Sequence, residues 1–201
     1  MKKLFPALLI VFSVVFSLFA EDADWFAKKL PEKLIKSNKK TVPTAAALKN
    51  KIVLLYFSAS WCGPCRSFTP QLEKFYKSVA KKENIEIILV TSDKTKDAMM
   101  KYMKKMPWLA IPFGNPQIAK LKSEFKVSGI PSLIVLDSSG KLITPNGRKD
   151  VVSLGVNAVN VWKTSDSTQT QQITEAEVNT SDKKTKKSKT KKSKKSKKNN
   201  D

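Results

Sequence analysis

The stretch IVLLYFSASWCGPC, residues 52–65, carries the strongest structural signal in this 201-residue chain. Its first half is a near-continuous apolar run, which is typical of a strand buried on both faces of a sheet. Its second half contains the only two cysteines, Cys62 and Cys65, three positions apart. Between them, Gly63 allows a tight turn and Pro64 suits the first turn of a helix. The stretch therefore predicts a dithiol at a strand-to-helix junction.

The predicted helix start gives the two thiols different roles. Unpaired amide groups of a first helical turn favour a thiolate on Cys62, which is our candidate nucleophile. Cys65, one turn inward, is the predicted resolving thiol, which attacks the mixed disulfide and releases the reduced substrate. We therefore predict that both cysteines are catalytic and that Gly63 and Pro64 support the active site.

Three other uses of a cysteine pair compete with this prediction. Zinc needs four ligands, and the chain has no third cysteine and no histidine. The lack of histidine also removes the imidazole that a cysteine hydrolase uses to activate its sulfur. A purely structural disulfide remains as an alternative, although such a small loop gives little entropic stabilisation. We expect the Cys62–Cys65 disulfide to be the redox group, without a metal or another cofactor.

The amino terminus has the layout of a secretory signal. Met1, Lys2 and Lys3 precede an apolar run over residues 4–20 that ends in Ala20. We predict a signal peptide over residues 1–20. An uncleaved membrane anchor is the alternative, because the run is close to the lower length limit for spanning a bilayer. Either form exports the domain, and we expect a bacterial periplasm as its location.

The carboxyl-terminal region, residues 164–201, is polar and rich in lysine. Residues 181–201 alone contain eleven lysines against Asp182 and Asp201. Such a segment cannot bury enough apolar surface to offset its ordering entropy, so we predict a disordered tail. Its charge favours weak electrostatic contact with anionic lipid or another polyanion. A solvated tail without a partner is the alternative.

Between these ends, predicted strands alternate with predicted helices. We expect a hairpin near residues 34–35 and 41–42, a helical turn over 44–49, and strands over 52–57, 85–90, 133–136 and 141–144. Helices are expected over 62–82, 93–106, 118–125 and 150–161. The first of these has a predicted core stripe of Phe68, Leu72, Phe75, Tyr76 and Val79, and a predicted kink at Pro70. This alternation predicts an α/β fold with a central mixed β-sheet flanked by helices on both faces.

Four segments carry a family resemblance. They are YFSASWCGPCR at 56–66 with FTP at 68–70, KMPWLAIPF at 105–113, GIPSL at 129–133 and TPNGR at 144–148. In this order they resemble the thioredoxin-like superfamily, particularly its tryparedoxin and nucleoredoxin branch. The resemblance covers most of residues 30–162. It implies a thioredoxin fold for the domain over residues 21–163 and thiol-disulfide oxidoreductase activity.

The resemblance also implies further site residues. In that family a cis proline lies beside the active-site sulfurs, and the backbone of the residue before it pairs with an extended substrate. Carried over, Ile130 and Pro131 are the substrate-binding residues, and we expect a cis bond between them. Trp61 matches the exposed tryptophan that flanks the cysteines and is assigned a supporting role. Trp108 is left between a position near the site and core packing.

One departure from thioredoxins proper concerns proton transfer. Those proteins bury an aspartate six residues before the first cysteine, where this chain and the tryparedoxin-like proteins have tyrosine, here Tyr56. The proton acceptor for Cys65 is therefore unassigned. Asp93 is a candidate that would act through water, although we favour a solvated aspartate at a helix start.

The sequence thus predicts an exported, monomeric protein-disulfide reductase. Its expected partners are disulfide-containing envelope proteins and an unidentified reductase that supplies electrons. One alternative is a dedicated electron donor to a single client in cytochrome maturation or peroxide reduction. Another is a non-catalytic thioredoxin-fold binding module with a polybasic tether.

Overall fold

The computed structural model describes residues 25–164. The predicted signal peptide or anchor and, beyond Thr164, the predicted tail lie outside these residues. Residues 25–159 belong to one compact unit, whereas residues 160–164, which are helical, belong to a second. Within the part of the chain that is described, no helix is long and apolar enough to cross a membrane.

A seven-stranded mixed sheet forms the centre of the first unit. Its strands are β1 (Lys33–Ile35), β2 (Thr41–Pro43), β3 (Ile52–Ser58), β4 (Ile85–Thr91), β5 (Leu109–Ala110), β6 (Ser132–Leu136) and β7 (Leu142–Thr144). They lie in the order β2-β1-β5-β4-β3-β6-β7. Strand β3 pairs in parallel with β4 and antiparallel with β6, and β4 pairs in parallel with β5. The predicted mixed sheet is confirmed.

Six α-helices accompany the sheet between residues 25 and 154. They are α1 (Trp25–Lys29), α2 (Thr44–Leu48), α3 (Gly63–Val79), α4 (Lys96–Met103), α5 (Gln117–Glu124) and α6 (Gly147–Leu154). A 3-10 turn, Gly155–Asn157, follows α6, and residues 158–164 are helical again. All seven residues of β4 are buried. Because successive residues of a strand point to opposite faces, both faces of the sheet must be covered there.

Helix α3 packs through the apolar stripe that the sequence predicts. Phe68, Leu72, Phe75 and Val79 are buried, whereas Tyr76 is only half-buried. Pro70 lies inside the helix, which continues through it to Val79. Because the helix is continuous, the cysteines at its amino end belong to the same helix as the buried apolar stripe, and packing of that stripe holds the redox site in position.

The structure differs from the predicted elements at several ends. Helix α4 begins at Lys96, not Asp93, because the Thr95 hydroxyl accepts a hydrogen bond from the Ala98 amide at 3.2 Å and caps the helix. The predicted helix over 150–161 begins earlier and is interrupted at Gly155, whose φ of 55° is left-handed. Helix α1 and strand β5 were not predicted.

Helix α6 approaches the sheet closely at its first residue. A Cβ atom on Gly147 would lie 2.6 Å from Val135 Cγ2 and 2.9 Å from the Leu133 carbonyl oxygen, both on β6. Only glycine permits this contact without movement of the backbone or the neighbouring side chain. The close contact fixes the start of α6, and with it Arg148 and Lys149, against the strand that follows Pro131.

Candidate redox site

The cysteine pair lies where the sequence predicts it, between β3 and α3. Cys62 caps the helix with an extended backbone, and its Sγ accepts a hydrogen bond from the Cys65 amide at 3.2 Å. The two sulfurs form a disulfide, with the Cα atoms 5.2 Å apart. Cys62 is 6% exposed and Cys65 is fully buried. Of the two sulfurs, only that of Cys62 can therefore be approached from solvent.

Gly63 and Pro64 occupy the first two helical positions. Pro64 needs no amide partner there, as predicted. A Cβ atom on Gly63 would meet nothing within 4 Å, and the residue is not among those with a left-handed backbone. Neither the space around this position nor its backbone conformation requires glycine. What Gly63 provides is an unobstructed surface beside Cys62.

Ile130 and Pro131 lie against the sulfurs. Their peptide bond is cis, as the resemblance implies. The Ile130 carbonyl oxygen lies 3.7 Å from Cys62 Sγ, and the Ile130 side chain packs on the small cluster formed by Ala59, Cys62 and Cys65. An extended chain that reaches Cys62 therefore passes beside the Ile130 backbone.

Trp61 is 57% exposed and stands next to the reachable sulfur. Its Nε1 donates a hydrogen bond to the Ser92 carbonyl oxygen at 3.1 Å, which holds the indole over the end of β4. The Lys122 ammonium donates to the Ser92 hydroxyl at 2.7 Å. Ser92 therefore contacts both the indole of Trp61 and the ammonium of Lys122, which belongs to α5.

Asp93 is buried, and the prediction that it is a solvated aspartate at a helix start is wrong. It is 8% exposed and precedes the helix start, so it is not a solvated cap. Its Oδ1 accepts hydrogen bonds from the Ser60 amide at 2.8 Å and the Ser60 hydroxyl at 2.6 Å. Its Oδ2 accepts from the Thr91 hydroxyl at 2.9 Å. The carboxylate therefore fastens the loop before Cys62 to the end of β4.

Strand register offers the signal that would have found this contact. Ser58 and Thr91 are register partners at the carboxyl ends of the parallel strands β3 and β4. Ser60 and Asp93 each follow two residues later, so the sheet brings them together. Parallel strands end at the same sheet edge, and this pairing could have been inferred once β3 and β4 were taken as neighbours.

Buried hydroxyl groups surround the backbone of Cys65. The Cys65 carbonyl oxygen accepts from the Thr69 hydroxyl at 2.9 Å and the Tyr56 hydroxyl at 3.3 Å. Tyr102 from α4 lies 2.6 Å from the Thr69 hydroxyl and 3.0 Å from that of Ser58. Burial raises the pKa of Tyr56 well above its ordinary value, and hydrogen bonds with the Ser58 and Thr69 hydroxyls offset part of this effect. Tyr56 is therefore a neutral hydrogen-bonding group at physiological pH.

Trp108 belongs to the core. It is 1% exposed, and its ring packs edge-on against Tyr56 at 6.2 Å and Tyr76 at 5.7 Å between centroids. Its Nε1 has no hydrogen-bond partner among the described residues. Of the two roles considered for Trp108, core packing is the one that the structure supports.

A cavity of about 530 Å³ opens beside the cis proline. It is lined by the loop before β6, including Ile130 and Pro131, and by the start of α6. Lys126, Arg148 and Lys149 contribute positive charge to this lining. The Arg148 guanidinium also stacks over the Phe68 ring at 5.8 Å. Apart from its place in the motif at 144–148, nothing in the sequence indicates a role for Arg148.

No group of three or more metal-ligating side chains is found in residues 25–164. The chemical group that the site offers is the cysteine pair itself. A capped, reachable sulfur, a buried second sulfur and an adjacent cis proline define a thioredoxin-fold protein with a redox-active disulfide.

Comparisons with known proteins agree with this class. A family model described as thioredoxin-like matches residues 50–142. The tryparedoxin of Trypanosoma brucei brucei is 38% identical over 63% of this chain and 89% of its own length. The crystal structure of tryparedoxin I from Crithidia fasciculata superposes with a TM-score of 0.62, at 41% identity over 65% of this chain and 92% of that one. The chain therefore belongs to the thioredoxin-like family, and the predicted thioredoxin fold is confirmed.

Nucleoredoxins are also similar to this chain. The probable nucleoredoxin 1 of Arabidopsis thaliana is 45% identical over 55% of the chain, and human nucleoredoxin is 35% identical over 64%. The matches cover only 19% and 30% of those two proteins, so the chain spans a fifth to a third of their length. Proteins of this fold use the cysteine pair for redox chemistry and need no separate cofactor, as the sequence analysis expected.

Proposed function

We propose that this protein is a protein-disulfide reductase or exchange catalyst in which Cys62 is the nucleophile and Cys65 the resolving thiol. The observation that carries the proposal is the asymmetry of the pair. Cys62 Sγ can be reached from solvent and accepts a hydrogen bond from the Cys65 amide at the start of α3. Cys65, one helical turn further along, is fully buried. A thiolate on Cys62 would be stabilised by that amide and by the partial positive charge of the helix start.

The reaction balances with these two sulfurs alone. The Cys62 thiolate attacks one sulfur of the substrate disulfide, forms a mixed disulfide and releases the other substrate sulfur as a thiolate. The Cys65 thiolate then attacks Cys62 Sγ, which releases the second substrate thiolate and forms the Cys62–Cys65 disulfide. Two electrons pass to the substrate. A separate reductase must return two electrons to the protein for another cycle.

The matched pair of serine substitutions tests this assignment. We expect Cys62→Ser to lower the reduction of insulin disulfides to the uncatalysed rate. Cys65→Ser should instead accumulate mixed disulfides through Cys62, because the resolving attack is removed. Non-reducing gels and mass spectrometry of the trapped species measure both outcomes. Turnover by Cys62→Ser at the wild-type rate would show that the proposal is wrong.

The same trap separates the alternatives. Many captured proteins would support general exchange, whereas a single captured protein would support dedicated electron supply to one client. A protein in which both cysteines are dispensable would be a binding module. The buried resolving sulfur favours catalysis, because docking of a partner requires neither sulfur.

We propose export on the basis of the signal-like layout of residues 1–20. The substrates would then be disulfides of envelope proteins, in a compartment where disulfides form and persist. The lysine-rich residues 181–201 would add weak attraction to an anionic surface. Sequencing the amino terminus of the protein recovered from the periplasm tests cleavage after Ala20, and recovery only from cytoplasm would contradict export.

A further inference from the structure

Positive charge borders the redox site on the side of the cis proline. The cavity there is lined by Lys126, Arg148 and Lys149, and no aspartate or glutamate is among the described residues that line it. Lys126 and Lys149 are exposed. Ile130, whose carbonyl oxygen lies 3.7 Å from Cys62 Sγ, is part of the same lining. A substrate segment extending from Cys62 along Ile130 therefore passes close to these cations.

A further cation lies on the tryptophan side. Lys122 is held by its hydrogen bond to the Ser92 hydroxyl, and the Ser92 carbonyl accepts the indole N–H of Trp61. Lys122 is half-buried, and the hydrogen bond with the Ser92 hydroxyl holds its ammonium in place. Positive charge therefore flanks the reachable sulfur on two sides, from α5 and from the loop and helix around Pro131.

Nearby carboxylates offset only part of this charge. Asp93 is buried, and its hydrogen bonds come from uncharged groups of Ser60 and Thr91, which do not cancel its charge. Asp150 follows Lys149 in the first turn of α6, and Glu124 pairs with Lys29 at 3.0 Å. Around the site the cations therefore outnumber Asp93 and Asp150: they are Lys122, Lys126, Arg148 and Lys149.

We propose that the site selects polypeptide disulfides whose cysteines are flanked by acidic residues. This inference rests on the proposed reductase function and adds the substrate class to it. Complementary charge speeds association and disfavours substrates of the same sign as the site. The selection weakens with added salt, because the cations concerned are near the surface.

Three disulfide-bonded peptides of equal length test the selection, with glutamate, glutamine or lysine on both sides of each cysteine. The protein is kept reduced by dithiothreitol, and kcat/KM is measured at low and at high salt. At low salt we expect the acidic peptide to exceed the basic one by at least about tenfold, with the ratio falling towards roughly twofold at high salt. Equal values at low salt would overturn the inference.

Charge reversal locates the effect. The double variant Lys126→Glu with Lys149→Glu should lose at least about fivefold in kcat/KM on the acidic peptide and gain on the basic one. The matched control is Lys81→Glu with Lys82→Glu, two exposed residues just beyond the far end of α3. Seventeen helical residues place them about 25 Å from the cysteine end. Equal losses in both variants would overturn the local site, since only net charge would then matter.

An uncharged small disulfide separates this inference from the proposed function. Wild type and the control variant Lys81→Glu with Lys82→Glu should reduce bis(2-hydroxyethyl) disulfide at similar rates. The rate of the Lys126→Glu, Lys149→Glu variant on this compound measures any change in the reactivity of Cys62, and its peptide values are divided by that rate. If the wild-type protein reduces this compound but has equal kcat/KM values on the three peptides, the charge selection alone is wrong. Failure to reduce any of the four substrates would sink the reductase function itself.

Discussion

Asp93 shows how one buried carboxylate supports the redox site without touching a sulfur. It accepts hydrogen bonds from the Ser60 amide and from the Ser60 and Thr91 hydroxyls. The Cys62 amide in turn donates to the Ala59 carbonyl at 3.2 Å, within the same loop. Asp93 therefore fixes the segment that brings Cys62 to the cap position of α3.

We expect Asp93→Ala to lower the free energy of unfolding by about 2 to 4 kcal/mol, because three donors lose their acceptor. The loosened cap should also cost the Cys62 thiolate up to about 1 kcal/mol, which corresponds to roughly fivefold slower alkylation of the reduced protein near pH 7. Urea unfolding and iodoacetamide kinetics measure the two effects.

Asp137 supplies a matched control for this substitution. It is also buried, and its Oδ1 accepts from the Ser139 amide and hydroxyl and the Lys141 amide in the turn between β6 and β7. Asp137→Ala should lose similar stability and leave Cys62 alkylation unchanged. A similar slowing in both variants would contradict a specific role of Asp93 at the cap.

At this scale the sequence identified the residues whose chemistry is local. Cys62, Cys65 and Pro64 act through neighbours two or three positions away, and a motif records such spacing directly. Asp93 acts through Ser60, thirty-three positions earlier. Only the parallel register of β3 and β4 brings the two together, so the sequence alone suggested a solvated residue.

Three elements contribute side chains to the cluster of buried hydroxyl groups next to the Cys65 backbone. Tyr56 and Ser58 come from β3, Thr69 from α3 and Tyr102 from α4. Their oxygens lie 2.6 to 3.0 Å apart in the contacts Tyr56–Thr69, Thr69–Tyr102 and Ser58–Tyr102. Because the ends of these contacts belong to different elements, the cluster fixes α3 and α4 against the central strand.

Tyr102→Phe should destabilise the protein by about 1 to 3 kcal/mol, since the Ser58 and Thr69 hydroxyls lose a partner in a buried place. Thr69→Val removes one of those hydroxyls. Combined with Tyr102→Phe, it should cost less than the sum of the two single changes by at least about 0.5 kcal/mol. Urea unfolding of the four proteins measures this cycle, and strict additivity would contradict a shared cluster.

Elements with strong patterns were predicted, and elements that depend on tertiary contacts were missed. Strands β3 and β4 are seven-residue strands in which apolar residues predominate, and α3 carries a regular apolar stripe. Strand β5 has only Leu109 and Ala110, which exist as a strand because β4 and β1 pair with them. Helix α1 has five residues, too few for a periodic pattern. Its Trp25 packs over Gly140, where a Cβ atom would lie 2.5 Å from the indole.

The stability of the whole molecule at high pH depends on two of its tyrosines. Burial raises the pKa of Tyr56. Burial and the neighbouring Glu86 carboxylate, which accepts from the Tyr76 hydroxyl at 2.8 Å, raise the pKa of Tyr76. Both phenols stay neutral in the folded protein at pH 10, where tyrosines of the unfolded chain are about half ionised. From about pH 9 upwards these two phenols therefore hold fewer protons in the unfolded chain than in the folded one, and their contribution to stability falls as the pH rises.

A difference measurement isolates this contribution from the titration of the many lysines. Between pH 9 and pH 11, Tyr56 should cost about 1.4 kcal/mol of unfolding free energy, and half-buried Tyr76 about half as much because solvent screens it. The double variant Tyr56→Phe with Tyr76→Phe lacks both phenols. Wild type should therefore lose about 2 kcal/mol more than this variant over the two pH units, as measured by urea unfolding at each pH. Below pH 9 the difference between the two proteins should be constant. Parallel curves up to pH 11 would mean that the two phenols ionise as readily in the folded protein as in the unfolded chain, contrary to the burial that their positions beside Trp108 impose.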